Sequence, residues 1–155
     1  MSLSRRDLVK SPLVLASASA IGLGSAAKVG ARPGSTGPGE TIELWPHPPA
    51  GALHPGMAEI VEQSSSDPAY SSRRTKGISR PRMIAFPAAQ PNGSAMLIIP
   101  GGGFAWNYFE HEGYYIADIL NRAGITCFVL IYRLAQDGWS DPASVGPADA
   151  QRAMR

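Results

Sequence analysis

The most informative stretch of the sequence is Ala95-Met96-Leu97-Ile98-Ile99-Pro100-Gly101-Gly102-Gly103-Phe104. It is a short apolar run that stops at three glycines and an aromatic residue, and such a run between turn residues is typical of a buried strand. The glycines free several backbone N–H groups at the carboxyl end of that strand, which is where ligands bind in an open α/β sheet. We therefore predict a strand followed by a ligand-binding loop, named here the glycine loop (residues 101–104).

The residues after the glycine loop predict a helix and a second strand. The helix should cover residues 110–123, because an apolar stripe recurs there at i, i+3, i+4 and i+7. That stripe consists of Ile116, Ile119, Leu120 and Ala123. Residues 125–132 are almost continuously apolar, as in a strand that is buried on both faces. Strand, helix and strand in this order form a right-handed crossover with a parallel strand pair, so the predicted fold class is α/β.

Shorter segments before the glycine loop also carry predictions. Residues 41–45 alternate in polarity and predict a half-buried edge strand with Ile42 and Leu44 on one face. One helical turn is predicted around residues 57–61, and a polar surface loop at residues 71–76. Residues 82–86 predict a further strand, because prolines flank them at both ends.

The last part of the sequence predicts a second helix. Residues 133–146 form a polar loop with glycines and a proline, and Pro147 suits the first position of a helix. Good helix formers follow it, and the sequence stops among them without a helix-stop signal. We interpret this as a truncation.

Composition and charge argue against several classes of protein. The 155 residues carry a net charge of +2 with a pI of about 8.9, and the basic residues form no common face, so nucleic-acid binding is not predicted. The single cysteine, Cys127, cannot form an intrachain disulfide and is predicted to be a small buried hydrophobe. His47 and His54 have no acidic or cysteine partner nearby in the sequence, so no metal site is predicted.

Residues 1–27 are predicted to be an export signal. Arg5 and Arg6 precede a weakly apolar segment and then small residues, as in secretory signals, and the arginine pair resembles the bacterial twin-arginine signal. The segment is too short and too weakly apolar to span a membrane stably. We therefore expect a periplasmic or secreted protein. Residues 28–77 are rich in proline and glycine, with a first strand near residues 41–45, and residues 78–155 should hold the α/β domain.

The residues alone leave three interpretations of the glycine loop open. A dinucleotide could bind there, with Arg133 near its 2′-phosphate, although G-x-G-x-x-G is absent. The glycines could form a tight turn and nothing more, although three in a row cost backbone entropy. They could also form an oxyanion hole, because rigid N–H donors stabilise the negative charge that develops in acyl transfer.

A set of motifs resembles the N-terminal half of an α/β-hydrolase of the carbohydrate-esterase-like branch, described as acetyl xylan or feruloyl esterases. The motifs lie between about residues 40 and 155 and comprise Leu44-Trp45-Pro46, Pro100-Gly101-Gly102-Gly103-Phe104, His111-Glu112-Gly113, Gly124-Ile125, Tyr132-Arg133-Leu134 and Asp149-Ala150-Gln151-Arg152-Ala153. The resemblance implies a three-layer α/β-hydrolase sheet, truncated before the nucleophile strand. Residues 78–155 would then be the N-terminal half of the hydrolase domain.

The resemblance also implies roles for individual residues. The N–H groups of Gly102 and Gly103 would form part of the oxyanion hole, and Phe104 and His111 would line the substrate pocket. The nucleophile, acid and base are not expected in this chain, because no G-x-S-x-G elbow occurs in the sequence. In its full-length form the protein would be a serine esterase that acts on a small-molecule or polysaccharide ester, without metal or cofactor, and this chain alone should be inactive. The alternatives are a non-catalytic truncated paralogue or binding module, and a dinucleotide-binding protein.

Two strand orders are possible. Locally, the turn at residues 91–94 suggests a hairpin between strands 83–86 and 96–99. The resemblance implies instead that strand 126–132 lies between them. Strand 95–99 would then be an apolar edge, which is an aggregation liability, so we expect poor solubility.

Overall fold

The structure is a computed structural model and describes residues 37–54, 56–67 and 72–155. Its strands are β1 (Thr41–Glu43), β2 (Ile60–Gln63), β3 (Arg73–Lys76), β4 (Arg82–Phe86), β5 (Ala95–Ile98) and β6 (Thr126–Ile131). Its helices are a π-helical turn (Glu110–Tyr114), α1 (Tyr115–Arg122), a 3-10 helix (Ala135–Asp137) and α2 (Pro142–Ala153). The predicted export signal, residues 1–27, lies outside the described residues.

The main sheet is mixed and has the strand order β1-β4-β6-β5. β5 and β6 are parallel and joined by α1, whereas β1 and β6 both run antiparallel to β4. The α/β class and the parallel strand pair with a connecting helix are therefore confirmed. The hairpin suggested by residues 91–94 is wrong, because β6 lies between β4 and β5 as the resemblance implied. The physical reason is burial: β6 carries the most continuous apolar run, and a central strand is paired along both edges and lies where packed elements cover the sheet most fully.

The buried core surrounds β6. Its Val129, Leu130 and Ile131 are at most 2% exposed. α1 packs against β6 and β4, and part of α2 packs against the same core. The predicted edge strand is confirmed as β1, which is paired with β4 and followed by the buried Leu44. Cys127 is buried as predicted.

The predicted apolar stripe of α1 is wrong in part. Ile116 and Ile119 are 42% and 60% exposed, whereas Ala117 is fully buried. The reason lies in the preceding π-helical turn, where Gly113 approaches β6 so closely that a Cβ there would lie 2.5 Å from Val129 Cγ1. This approach sets the small side chains against the sheet and turns the large ones outward.

The second helix begins earlier than predicted. Pro142 occupies its first turn and Pro147 lies inside it. Asp141 is the N-cap residue, and the Ser144 hydroxyl donates a 2.7 Å hydrogen bond to the Asp141 carboxylate. A proline suits the first helical turn because its missing N–H has no intrahelical acceptor there. Pro142, not Pro147, meets this condition.

A two-stranded antiparallel sheet replaces the predicted helical turn and surface loop. β2 pairs with β3, and both predictions for these residues are therefore wrong. Facing side chains stabilise the pair, because Glu62 opposes Arg74 and forms an ion pair with it. Thr75 is 1% exposed and pairs through its backbone with Asn107, so a tertiary contact buries a segment that is polar in sequence. Among the described residues no helix is long and apolar enough to cross a membrane.

Candidate functional site

The glycine loop lies at the carboxyl end of the parallel pair β5–β6. Pro100, between β5 and the loop, has its carbonyl oxygen 2.8 Å from the Tyr132 hydroxyl, which donates a hydrogen bond to it. Tyr132 directly follows β6. Burial raises the pKa of Tyr132, with a further contribution from the Glu112 charge, so the phenol is a neutral donor around pH 7. The end of β6 therefore holds the start of the glycine loop.

The backbone of the glycine loop is left-handed at three consecutive residues. The φ angles are 136° at Gly102, 62° at Gly103 and 59° at Phe104. A Cβ at Gly102 would lie 2.1 Å from the Trp106 carbonyl oxygen, so glycine is required there by contact as well as by φ. Phe104 adopts a conformation that costs a non-glycine residue about 1–2 kcal/mol. Strain of this kind persists only where the surroundings impose it.

The carbonyl groups of the glycine loop all accept hydrogen bonds from the protein. The Gly101 oxygen accepts from the Tyr108 N–H at 3.1 Å. The Gly102 oxygen accepts from the N–H groups of Ala105 and Trp106, both at 3.2 Å. Gln136 holds the other two: its side-chain amide donates to the Gly103 oxygen and its backbone N–H to the Phe104 oxygen, both at 3.2 Å. Gln136 was not among the predicted site residues, because residues 133–146 were expected to form an irregular polar loop.

The N–H groups of the loop are arranged differently. Gly101 donates to the Glu112 carboxylate at 2.7 Å. The N–H groups of Gly102, Gly103 and Phe104 have no acceptor within the described part of the chain. Gly103 and Phe104 are exposed and Gly102 is half-buried. The carbonyl groups of the loop are thus bound by the protein, whereas three of its N–H groups have no acceptor among the described residues and are available to an anion.

Phe104 and His111 were the predicted pocket residues. Phe104 belongs to the glycine loop, and its side chain is 59% exposed. His111 lies in the π-helical turn, is exposed and has its ring 6.2 Å from that of Tyr115. Their predicted contact with substrate stays a prediction.

The His111-Glu112-Gly113 motif has a structural explanation in its last two residues. Glu112 binds the Gly101 N–H, and a Cβ at Gly101 would lie 2.8 Å from that carboxylate. Gly113 allows the π-helical turn to approach Val129 and Pro100. The motif therefore supports the glycine loop from the helix side, and its presence in the sequence was the signal that could have identified Glu112.

A cationic and aromatic cluster supports the residues that follow the glycine loop. The Arg74 guanidinium carbon lies 4.0 Å from the centre of the Trp106 ring, and the guanidinium donates to the Tyr108 hydroxyl at 2.8 Å. The Lys76 ammonium lies 4.5 Å from the same Trp106 ring. The hydrogen bonds that Arg74 forms with Glu62 and Tyr108 raise the pKa of its guanidinium. The cluster was missed because these β3 residues were predicted to be a surface loop.

Asn107 fixes the same segment from within. It is fully buried, exchanges two backbone hydrogen bonds with Thr75 and donates its side-chain amide to the Leu130 oxygen at 3.1 Å. Its side-chain oxygen has no partner in the described residues. The segment after the glycine loop is therefore connected to both sheets.

Arg133 does not serve a dinucleotide. It is 5% exposed, and its guanidinium binds both oxygens of Asp149 at 2.8–3.2 Å. Trp45 donates to the same carboxylate at 2.8 Å. The proposed contact of Arg133 with a 2′-phosphate is thus contradicted, because its charge is already paired inside the protein.

Ser140 and Ser144 each match half of the G-x-S-x-G pattern, in Gly138-Trp139-Ser140 and Ser144-Val145-Gly146, but neither directly follows a strand. Ser140 precedes α2, and Ser144 lies in its first turn with its hydroxyl bound to Asp141. No group of three or more His, Cys, Asp or Glu side chains among the described residues is placed to hold a metal ion.

No protein-family model matches the chain. Part of it is similar to the acetylxylan esterase of Xylanibacter ruminicola, with 43% identity over 53 residues. The matched stretch is 34% of this chain, and the chain spans only 11% of the length of that enzyme. This partial similarity indicates an esterase-like relationship.

Proposed function

We propose that this chain supplies the oxyanion-binding part of a serine-esterase site in an α/β-hydrolase that acts on acylated carbohydrate. One observation carries the proposal: the glycine loop follows a strand of a parallel pair, and the N–H groups of Gly102 and Gly103 have no acceptor among the described residues, while the loop's carbonyls are held by the protein. The partial similarity to an acetylxylan esterase supports the substrate class.

The chemistry follows from the charge that acyl transfer creates. Attack on an ester carbonyl moves negative charge onto the carbonyl oxygen, and preorganised N–H donors stabilise that charge by about 3–4 kcal/mol per donor. In this proposal the N–H groups of Gly102 and Gly103 donate to that oxygen. Because the loop is already held, little reorganisation is needed when the charge develops. Phe104 would border the acyl or sugar group with its exposed ring.

The proposal expects no esterase turnover from this chain alone. The sequence contains no G-x-S-x-G nucleophile motif. Its three histidines, at positions 47, 54 and 111, come too early in the chain, because the catalytic histidine of an α/β-hydrolase follows the nucleophile in sequence. Purified chain should therefore leave p-nitrophenyl acetate intact. Hydrolysis that a serine reagent blocks would contradict this assignment of the catalytic parts.

A chimaera tests the oxyanion role directly. Residues 95–134 of this chain would replace the strand, loop, helix and strand that carry the oxyanion hole of an active α/β-hydrolase esterase, and hydrolysis of acetylated xylan would be measured. Gly102→Ala should lower kcat by about 10²–10³-fold, the usual cost of losing one oxyanion donor. The loop must move in this variant, since the new Cβ would meet the Trp106 oxygen.

Gly103→Ala is the matched control for this experiment. A Cβ at Gly103 meets no atom within 4 Å, so the loop keeps its shape and its N–H donor. We expect kcat to stay within about tenfold of the chimaera, because only the left-handed φ is penalised. Equal kcat for both variants in a folded chimaera would overturn the proposed role.

We also propose that the protein is exported from the cytoplasm. Residues 1–27 would direct export through the twin-arginine pathway, with the mature protein in the periplasm or outside the cell. Replacing Arg5 and Arg6 by lysine should retain the protein in the cytoplasm, which cell fractionation would detect. Unchanged export would refute this part.

A further inference from the structure

We propose that Glu112 is a positioning residue, which holds the glycine loop in the conformation that presents the N–H groups of Gly102 and Gly103. The inference deepens the proposed function and rests on it. It assigns a function to an acidic residue that sequence analysis noted only as part of a motif.

The contact is short and charged. Glu112 Oε2 accepts the Gly101 N–H at 2.7 Å, in the range of hydrogen bonds to an ionised carboxylate. Within the described residues, Gly101 is the member of the glycine loop whose N–H has a protein acceptor. The approach of the carboxylate also explains the first glycine, because a Cβ at Gly101 would lie 2.8 Å from Oε2.

The contact ties the loop to a rigid element. Glu112 belongs to the π-helical turn that continues directly into α1, and the next residue, Gly113, packs against Val129 of β6. On the other side of the same peptide bond, the Tyr132 hydroxyl holds the Pro100 oxygen. The peptide that enters the glycine loop is therefore fixed at both its oxygen and its N–H.

The hydrogen bond between Glu112 and the Gly101 N–H should favour an anion at the loop, whereas the negative charge of Glu112 should oppose it. A carboxylate near a developing oxyanion repels it, since like charges raise each other's energy at short range. Glu112 must therefore act through the position that it gives to Gly101. A neutral oxygen in the same place should preserve that position, which separates Glu112→Gln from Glu112→Ala.

The first test measures the position of Gly101 in the 155-residue chain. Hydrogen exchange of the Gly101 amide should be at least about tenfold faster in Glu112→Ala and within about threefold of wild type in Glu112→Gln. Asp118→Ala is the control, because Asp118 pairs with Arg122 on the surface of α1 and should leave Gly101 unchanged. Unchanged Gly101 exchange in Glu112→Ala would overturn the proposal.

The second test measures anion binding with acetate as the probe. Acetate added to wild-type chain should shift the amide resonances of Gly102 and Gly103, and the Kd should rise at least about fivefold in Glu112→Ala. Glu112→Gln should bind acetate as tightly as wild type or more tightly. Equal weakening in both variants would overturn the positioning role.

The two proposals fail in different ways. If acetate leaves the Gly102 and Gly103 resonances of the wild-type chain unchanged, the oxyanion proposal fails. The Gly101 exchange data still decide whether Glu112 holds the loop.

Discussion

The carboxylate of Asp149 connects three parts of the chain that are distant in sequence. It lies in α2, is fully buried, and accepts hydrogen bonds from the Arg133 side chain and backbone and from the Trp45 indole. Nearby, the Arg152 guanidinium donates to the Leu44 oxygen at 3.0 Å. These contacts join α2 to the end of β6 and to the segment after β1.

Removing the charge of Asp149 should destabilise the fold strongly. Asp149→Asn leaves the Arg133 guanidinium buried without its counter-ion, and loss of one partner from a buried pair costs about 3–5 kcal/mol. The free energy of unfolding in urea measures the change.

Asp118→Asn is the matched control for this prediction. Its carboxylate pairs with Arg122 four residues later on the exposed side of α1. Such pairs contribute about 0.5 kcal/mol or less. Similar losses in both variants would show that the Arg133–Asp149 pair is not the buried tie described here.

At the scale of elements, α1 shows how close packing overrides a hydrophobic pattern. Ile116 and Ile119 have helical spacing, and yet the sheet is met by Gly113, Ala117 and Asn121. The Asn121 side-chain N–H groups donate to the Phe86 oxygen at 3.0 Å and to the Ile125 oxygen at 2.8 Å, whereas its side-chain oxygen has no partner in the described residues. The short distance between α1 and β6 leaves space there only for small or hydrogen-bonded side chains.

Substitutions on the two faces of α1 should therefore differ in stability. Ala117→Leu adds volume at a fully buried position and should lower the free energy of unfolding by about 1–3 kcal/mol. Ile119→Ser should change it by no more than about 0.5 kcal/mol, because the side chain is already 60% exposed. Thermal or urea unfolding compares the pair. A larger loss for Ile119→Ser would mean that the buried face is the one predicted from sequence.

At the scale of the whole molecule, β5 is an apolar edge. Among the described strands it pairs only with β6, and Met96 and Ile99 are 45% and 52% exposed. Unpaired N–H and C=O groups beside apolar side chains favour association with further strands. We expect the chain to aggregate at high concentration.

A charge on this edge should reduce aggregation. Met96→Lys should lower light scattering and increase the soluble fraction, because lysine on an edge strand opposes further pairing. Met154→Lys is the control, since Met154 is 75% exposed at the end of α2, away from the edge strand in sequence. If both variants improve solubility equally, net charge is responsible and not the edge.

Alkaline pH should destabilise the whole fold. Burial raises the pKa of Tyr114, Tyr132 and Cys127, so folding favours their neutral, protonated forms. Their contribution is complete below the pKa of the unfolded chain, about 8.5 for cysteine and 10 for tyrosine. It is lost as the pH rises through the higher folded-state values. The free energy of unfolding should thus decrease above about pH 9. Constant stability from pH 7 to 11 in urea titrations would contradict this.

Local patterns were sufficient for the elements of the α/β unit. β5, α1 and β6 follow from an apolar run, a helical period and a second apolar run, because these signals arise within a few neighbouring residues. The glycine loop was also evident, since a series of glycines after a strand has a direct conformational meaning. The sequence therefore specified the order of these elements and the position of the candidate site.

Only the tertiary structure showed how these elements are joined. The pairing of β2 with β3 and the buried face of α1 depend on contacts between residues far apart in the chain. The position of β6 between β4 and β5 was implied by the resemblance, whereas the local turn signal favoured the wrong neighbour. Glu112 and Gln136 also act through distant contacts, because they hold the glycine loop from 11 and 33 residues away. Which of these contacts form depends on burial and hydrogen-bond satisfaction over the whole molecule, and neither can be read from a local sequence pattern.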